Sequence, residues 1–285
     1  MTDKLPSDAE KLSENWGHQP ISLDHPWIET QRLPAEIDHF ESMFRELPEN
    51  NLYVRLAGNS AGAGDPSRTI LDGTISLEER LRSENLHVLG VNLNLVSGEL
   101  QEFLDRFMDF ITPVLQHNGI TEKPEASLAA FVSCANCIVP FHADPEHNFL
   151  FQIRGAKKFH IYPNNDFELF PSIYRERLIK TKKCVLPYED HWQNRAFTMN
   201  LQPGSSTYQP PMAPHWVESD ESINISYAVS VFTSKEQRTR RILLVNDRLR
   251  SLRMRPSDIG KNQWNDSLKD RISLLLKKGV GPHFG

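Results

Sequence analysis

The chain has 285 residues, 39% of them hydrophobic, with 32 Lys+Arg against 37 Asp+Glu and a formal net charge of −5. That is enough apolar material for one large domain, or one domain with appendages, and the acidic balance argues against nucleic acid as a partner. Cys134, Cys137 and Cys184 cannot all pair within the chain, no apolar leader opens it and no apolar run reaches membrane-spanning length, so the expectation is a soluble cytoplasmic protein with no membrane partner.

The first thirty or so residues are polar and proline-rich and read as an arm on the surface. Over 34–47, Ile37, Phe40, Phe44 and Leu47 recur at helical spacing, with Pro34 suited to a first turn and Pro48 as a stop. Residues 58–67 (GNSAGAGDPS) are a loop by composition, and 76–83 a short helix. Over 88–96, Leu89, Val91, Leu93 and Leu95 alternate with Asn92 and Asn94, which predicts a half-buried strand. Leu100, Phe103, Leu104, Phe107, Ile111 and Val114 then mark an amphipathic helix over 99–115.

From 128 to 233 the pattern changes to short β-type runs between turn signals: LAAFVSC, HNFLFQI, KKFHIYP, FTMNL and ISYAVSVF. Arg154-Gly155-Ala156-Lys157 reads as a tight hairpin and Gln202-Pro203-Gly204-Ser205 as another turn. Many short strands with Gly/Pro turns predict a sandwich or jelly roll. Beyond Thr233 two apolar stripes recur at helical spacing, Ile242, Val245, Leu249 and Leu252, then Trp264, Leu268, Ile272 and Leu275. The arginines along this tail, without interleaved aromatic residues, read as a solvated helix face.

The chemistry concentrates in FHADPEHNFLFQIRGAKKFHIYP, residues 141–163. Alternate residues of a strand project to one side, so His142 and Asp144 stand together if the strand runs through them. A third ligand would come from a distant strand, and His215 in YQPPMAPHWVES is the best placed. Two histidines and one carboxylate, leaving open positions, form the ligand set of non-haem Fe(II) oxygenases. The bland reading of His-x-Asp is an aspartate capping a turn ahead of Pro145. Lys157, in apolar company with Phe159 and Ile161, calls for an anionic partner. Cys134 and Cys137 have no second ligand pair at zinc spacing and read as packing. His147, His160 and Trp216 read first as structural, and His191-Trp192 lies in an insertion between strands.

The same stretch, with Pro140, His142, Asp144, Asn148, Gln152, Arg154, Gly155 and Lys157 at matching positions, resembles the jumonji-C, cupin-like branch of the 2-oxoglutarate oxygenases. Within that branch it resembles in particular the asparaginyl hydroxylase of hypoxia-inducible factor and bacterial cupin-like relatives. PGSSTYQPPMAPHWVES is similar to the family's stretch carrying the distal histidine.

The resemblance implies a mainly β, double-stranded β-helix core, expected over 88–233, with an N-terminal arm and helical segment packing on that core over 1–87. A C-terminal helical extension over 234–285 completes the chain. It implies Fe(II) held by His142, Asp144 and His215, with Lys157 on the far carboxylate of 2-oxoglutarate, Asn148 lining the same pocket and Ser230 near the co-substrate. One departure stands out: Val139 replaces a hydroxyl residue that several relatives carry three before the first histidine, so Ser230 or Tyr227 is expected to compensate. The implied activity consumes O2 and 2-oxoglutarate, releases succinate, and hydroxylates a peptide or protein side chain. The alternatives are a small-molecule tailoring oxygenase of the same mechanism and a non-catalytic cupin-like binding module. The two C-terminal stripes are expected to build a homodimer.

Overall fold

The computed structural model describes residues 7–23, 33–56, 71, 74–181 and 186–275, so the 58–67 loop and Cys184 lie outside the described residues. Eleven strands are described: β1 (Ile21–Leu23), β2 (Leu52–Leu56), β3 (Leu86–Gly90), β4 (Glu125–Ser133), β5 (Ile138–His142), β6 (His147–Arg154), β7 (Lys157–Ile161), β8 (Phe197–Leu201), β9 (Ser206–Gln209), β10 (His215–Ser219) and β11 (Asn224–Phe232). They form two antiparallel sheets, in the orders β1-β9-β6-β11-β4-β3-β2 and β5-β10-β7-β8. The helices are α1 (Ser7–Asn15), α2 (Ile37–Glu46), α3 (Leu77–Ser83), α4 (Gly98–His117), α5 (Ser172–Thr181), α6 (Ser234–Ser251) and α7 (Gln263–Leu275).

The period-2 pattern of the central strands sorts their side chains. Phe149, Phe151, Tyr208, Tyr227 and Val229 point out of the larger sheet and are fully buried under helices. Phe107 and Phe103 of α4 meet Phe149 and Phe151 edge to face, with ring centroids 4.7 and 5.5 Å apart. Phe40 of α2 lies 5.6 Å from Tyr227. Each such ring, removed from water, contributes on the order of 2–3 kcal/mol, so α2 and α4 brace the sheet that carries half of the cavity wall. The opposite, inward faces of the two sheets enclose Phe159, Ile161, Leu201, Ala213 and Val217 in a second small core.

Four sequence expectations change. The N-terminal segment is not a surface arm: Leu12 and Trp16 are buried, Trp16 stacks on His147 at 4.0 Å, and β1 joins the edge of the larger sheet beside β9. The larger sheet thus takes in β1 and β2 from ahead of the 88–233 span, and β3 straddles its start. The expected strand over 88–96 ends at Gly90, because Asn92 takes a left-handed conformation (φ 58°) and Leu93–Leu95 turn as a 3-10 helix. Leu93 is buried and Leu95 exposed, so these two leucines do not share a face.

Residues 154–157 are not a hairpin either. β6 pairs with β9 and β11 whereas β7 pairs with β8 and β10, so the chain crosses here from one sheet to the other. Gly155 makes the corner possible: its φ is +72°, and a Cβ there would stand 2.5 Å from Asn224 Nδ2. The Gln152 amide ties the corner down, donating to the carbonyls of Arg154 (2.7 Å) and Gly155 (2.9 Å).

The fourth change concerns the tail. α6 buries Ile242 and Leu243, but Leu252 is exposed, and α7 turns Trp264, Leu268, Ile272 and Leu275 outward. α7 meets α6 through polar groups instead, with Arg241 Nε 2.5 Å from Asp270 Oδ1. Arg250 of α6 pairs with Glu176 of α5 at 2.7 Å, which neutralises part of the basic face.

Candidate metal centre

His142 and His215 face each other across the smaller sheet, as partners in the β5–β10 register. A register irregularity between His215 and Val217 brings both His142 and Val139 to the inner side. The strand stops at His142 rather than running through Asp144. Asp144 is instead held by its backbone, whose carbonyl accepts the Met212 N–H at 2.7 Å, so the proline-rich turn before His215 also positions the aspartate.

One ligand atom from each of His142, Asp144 and His215 lies within 4.8 Å of the others. The imidazole centroids are 4.0 Å apart, and His215 Nε2 is 3.5 Å from Asp144 Oδ2. Nδ1 of His142 lies 2.7 Å from the Pro140 carbonyl and Nδ1 of His215 lies 3.0 Å from the Ala213 carbonyl. A carbonyl only accepts, so the His142 ring carries its proton on Nδ1 and turns its Nε2 lone pair inward, whereas Nδ1 of His215 is shared between the Ala213 carbonyl and the Gln209 amide, whose Nε2 lies 2.8 Å away. Burial and the nearby His142 push the His215 pKa down to about 3, which keeps its ring neutral and ready to donate a lone pair to a cation. Asn148 Nδ2 donates to Asp144 Oδ2 at 3.2 Å, and Ser230 Oγ donates to Asn148 Oδ1 at 2.8 Å. Ser230, Asn148 and Asp144 thus form a short relay that fixes the carboxylate.

Lys157 occupies the other end of the cavity. It is buried, its Nζ donates to Ser226 Oγ at 2.8 Å, and Ser226 passes its own proton to Gln152 Oε1 at 2.6 Å. Burial pulls the lysine down to about 8. The hydroxyl beside the lysine is therefore that of Ser226, a residue the sequence reading passed over. Ser230 sits at the ligand end, and the Tyr227 hydroxyl faces away, donating to the Pro34 carbonyl at 3.1 Å. Tyr227 cannot take the part of the hydroxyl missing at Val139. Strand parity alone could have flagged Ser226, because it is two residues from Ala228 and four from Ser230 on β11.

Two further residues on the inner face escaped the sequence reading. Arg55 is paired with His87 in the β2–β3 register, and His87 with Ser133 in β3–β4. His87 is buried with Nδ1 2.8 Å from Ser133 Oγ, and burial together with the charges of Arg55, Lys157 and His142 holds its pKa well below the usual imidazole range. Cys134 and Cys137 are both buried free thiols, and burial pushes Cys137 up to about 12. His160 stacks on Trp216 at 4.0 Å on the outer side of the smaller sheet, away from the ligand set, and Trp192 is buried in the same outer cluster.

Superposition on solved structures gives the cupin-like barrel directly. The ribosomal oxygenase YcfD from Escherichia coli, solved with cobalt and succinic acid, matches 96% of this chain and 68% of its own with a TM-score of 0.52 at 14% identity. The same protein with cobalt and 2-oxoglutarate matches with a TM-score of 0.51. The chain has the fold of the jumonji-C, cupin-like oxygenases. Sequence comparison points the same way: an HSPB1-associated protein 1 homolog from Danio rerio is 26% identical over 159 residues, 52% of this chain and 35% of that one. The JmjC domain-containing protein D of Dictyostelium discoideum is 26% identical over 122 residues, 40% of this chain and 26% of that one. The matched stretches therefore span about a third or less of those two relatives. No protein-family profile matches the chain. No helix among the described residues is long and apolar enough to cross a membrane.

Proposed function

We propose that this protein is an Fe(II)- and 2-oxoglutarate-dependent dioxygenase that hydroxylates a peptide or protein side chain. The observation that carries the reading is the convergence of two histidines and one carboxylate within 4.8 Å at one end of a barrel whose other end holds a buried lysine. The donor set fits a divalent iron: two neutral imidazoles and a hard carboxylate on one side leave the opposite positions free.

His142, Asp144 and His215 would hold the metal, and Lys157 would take the distal carboxylate of 2-oxoglutarate. Bound together, iron and 2-oxoglutarate supply the oxidising chemistry, coupling dioxygen reduction to decarboxylation of 2-oxoglutarate to succinate. The chain's own residues orient and insulate. The Pro140 carbonyl fixes the His142 tautomer, the Ala213 carbonyl and the Gln209 amide orient His215, Asn148 and Ser230 fix Asp144, and Ser226 with Gln152 steers the lysine ammonium. Phe159, Ile161, Val217 and Leu201 keep the space between dry, which strengthens the lysine–carboxylate pair. The same fold and ligand set would serve the tailoring of a small molecule equally well. A protein substrate is favoured by the likeness to a solved ribosomal oxygenase.

Aerobic incubation of the iron-loaded protein with 2-oxoglutarate and candidate peptides tests the reading. It requires succinate formation and a peptide mass gain of one oxygen. Absence of 2-oxoglutarate binding to the metal-loaded protein would refute it and leave a binding module.

A further inference from the structure

The inner face of the larger sheet carries a cation of its own, opposite the smaller sheet that holds Lys157 on β7. Arg55 projects from edge strand β2 beside His87, whose ring is held by Ser133 and stacks on Phe131 with centroids 5.7 Å apart. Arg55, His87 and Ser133 therefore share the side of the sheet that looks into the cavity. Asp144 and Cys137 are the groups acting on the Arg55 charge, which places the guanidinium along the wall that runs from Cys137 to the ligand set. Burial outweighs both and pushes its pKa down.

The guanidinium is unmatched. Its Nε is sealed from solvent and has no hydrogen-bond partner, and no ion pair to Arg55 forms among the described residues. The buried Arg175 shows the contrast: its Nε donates to the Phe170 carbonyl at 2.7 Å and its Nη2 to the Asn164 carbonyl at 2.8 Å. An arginine cannot shed its proton, so a half-buried guanidinium whose Nε is sealed and unpartnered is stabilised by a bound anion. Asp144 is not that anion, because its carboxylate is already directed at His215 and Asn148.

The identity of the missing anion follows from charge. In the dioxygenase reading, on which this inference rests, a divalent metal and Lys157 are balanced by Asp144 and the two carboxylates of 2-oxoglutarate. Arg55 adds a further positive charge on the inner face, and a monoanion with a planar, two-oxygen face matches its fork. We propose that Arg55 anchors the prime substrate, and that the substrate presents a carboxylate to it, as an acidic side chain or a free amino-acid carboxyl group. Tyr53, which precedes Arg55 by two on the same face, and Phe131 are half-buried and supply the apolar wall for the carbon skeleton.

The test uses full-length protein loaded with Mn(II) and 2-oxoglutarate under argon, so that binding is read without turnover. The probes are N-acetyl-glutamate α-amide and N-acetyl-glutamine α-amide, which differ only in the terminal carboxylate, with affinity read from paramagnetic broadening of their proton signals. Wild type should hold the acid about tenfold or more tighter than the amide. Arg55→Met should abolish that preference while leaving the affinity for 2-oxoglutarate within about twofold, and Arg55→Lys should retain part of it. Lys157→Met should do the reverse.

Equal binding of the two probes to wild type overturns the proposal, as does an acid preference that survives in Arg55→Met. Loss of 2-oxoglutarate in Arg55→Met on the scale seen for Lys157→Met overturns it too, since Arg55 would then hold the co-substrate. Wild type that keeps the acid preference but fails to bind 2-oxoglutarate sinks the dioxygenase reading and leaves the Arg55 carboxylate site standing.

Discussion

Replacing Lys157 with methionine should make the protein more stable and less able to bind its co-substrate at the same time. The lysine is buried beside one neutral acceptor, Ser226 Oγ, and burial moves it from 10.5 to about 8. That displacement corresponds to roughly 3 kcal/mol of cost to the folded state while the lysine is charged. Methionine removes the cost and conserves most of the volume, but gives up the bond to Ser226, on the order of 1 kcal/mol. Ser226 keeps its partner in Gln152, so no hydroxyl is orphaned. The net gain should be about 2 kcal/mol at pH 7.

The sign of its pH dependence follows from the lowered pKa. The cost is complete below pH 8, where both folded and unfolded lysine are charged. It declines between pH 8 and 10.5 as the folded form loses its proton first, and it is gone above the unfolded value. The advantage of Lys157→Met should shrink over that window. Urea unfolding of metal-free protein at pH 7 and pH 9.5 reads the stability. Anaerobic titration of 2-oxoglutarate into the Mn(II) form reads the other half, with an expected loss of tenfold to a hundredfold, the equivalent of about 1.5–3 kcal/mol. A variant less stable than wild type at pH 7, with undiminished 2-oxoglutarate affinity, would refute both the buried-charge argument and the assignment of the lysine.

His142→Ala should abolish tight Fe(II) binding, measured by equilibrium dialysis, while circular dichroism stays that of the folded chain, because the half-buried ring contributes little packing. Gly155→Ala should cost at least about 2 kcal/mol in urea unfolding, since the new methyl meets Asn224 and the φ of +72° is strained for alanine; a loss below about 0.5 kcal/mol would contradict the corner geometry. The outward stripe on α7 predicts a homodimer by light scattering at micromolar concentration. Charged residues at Trp264 and Leu268, both exposed, should dissociate it with the barrel still folded, and a monomeric wild type would dispose of the idea.

The two barrel sheets were largely legible from local pattern, because β4, β6, β7 and β11 are short β-type runs bounded by turn residues, although a register irregularity against β11 breaks the two-residue period of β6 near Arg154. The helices α2, α3 and α4 announced themselves by apolar spacing and by N-terminal residues such as Ser76 and Ser97, whose side chains accept backbone N–H groups of the first turn. What local pattern does not contain is which strand a run pairs with. Arg154-Gly155-Ala156-Lys157 carries the composition of a hairpin and makes a sheet crossing, because the pairing is decided by β9, β10 and β11 much later in the chain. The same blindness hid Arg55 and His87: neither belongs to a motif, and only the register of β2 on β3 on β4 brings them to the cavity. On the C-terminal helices the apolar spacing was real but says nothing of what faces it, and α7 keeps its stripe outside.

The pairing of His142 on β5 with His215 on β10 has a consequence for how the protein comes to life. In the chain these strands are separated by β6 to β9, which are shared between the two sheets, so the contact carries a large loop-closure cost, as expected of a late step in folding. A nascent or partly opened chain has no assembled set of ligands to load. In the dioxygenase reading, iron capture would thereby be tied to completion of the barrel, and the captured ion would act as a clasp between distant parts of the chain, raising the barrier to reopening. A redox-active ion would then be admitted only where the wall that contains its reactivity is already built.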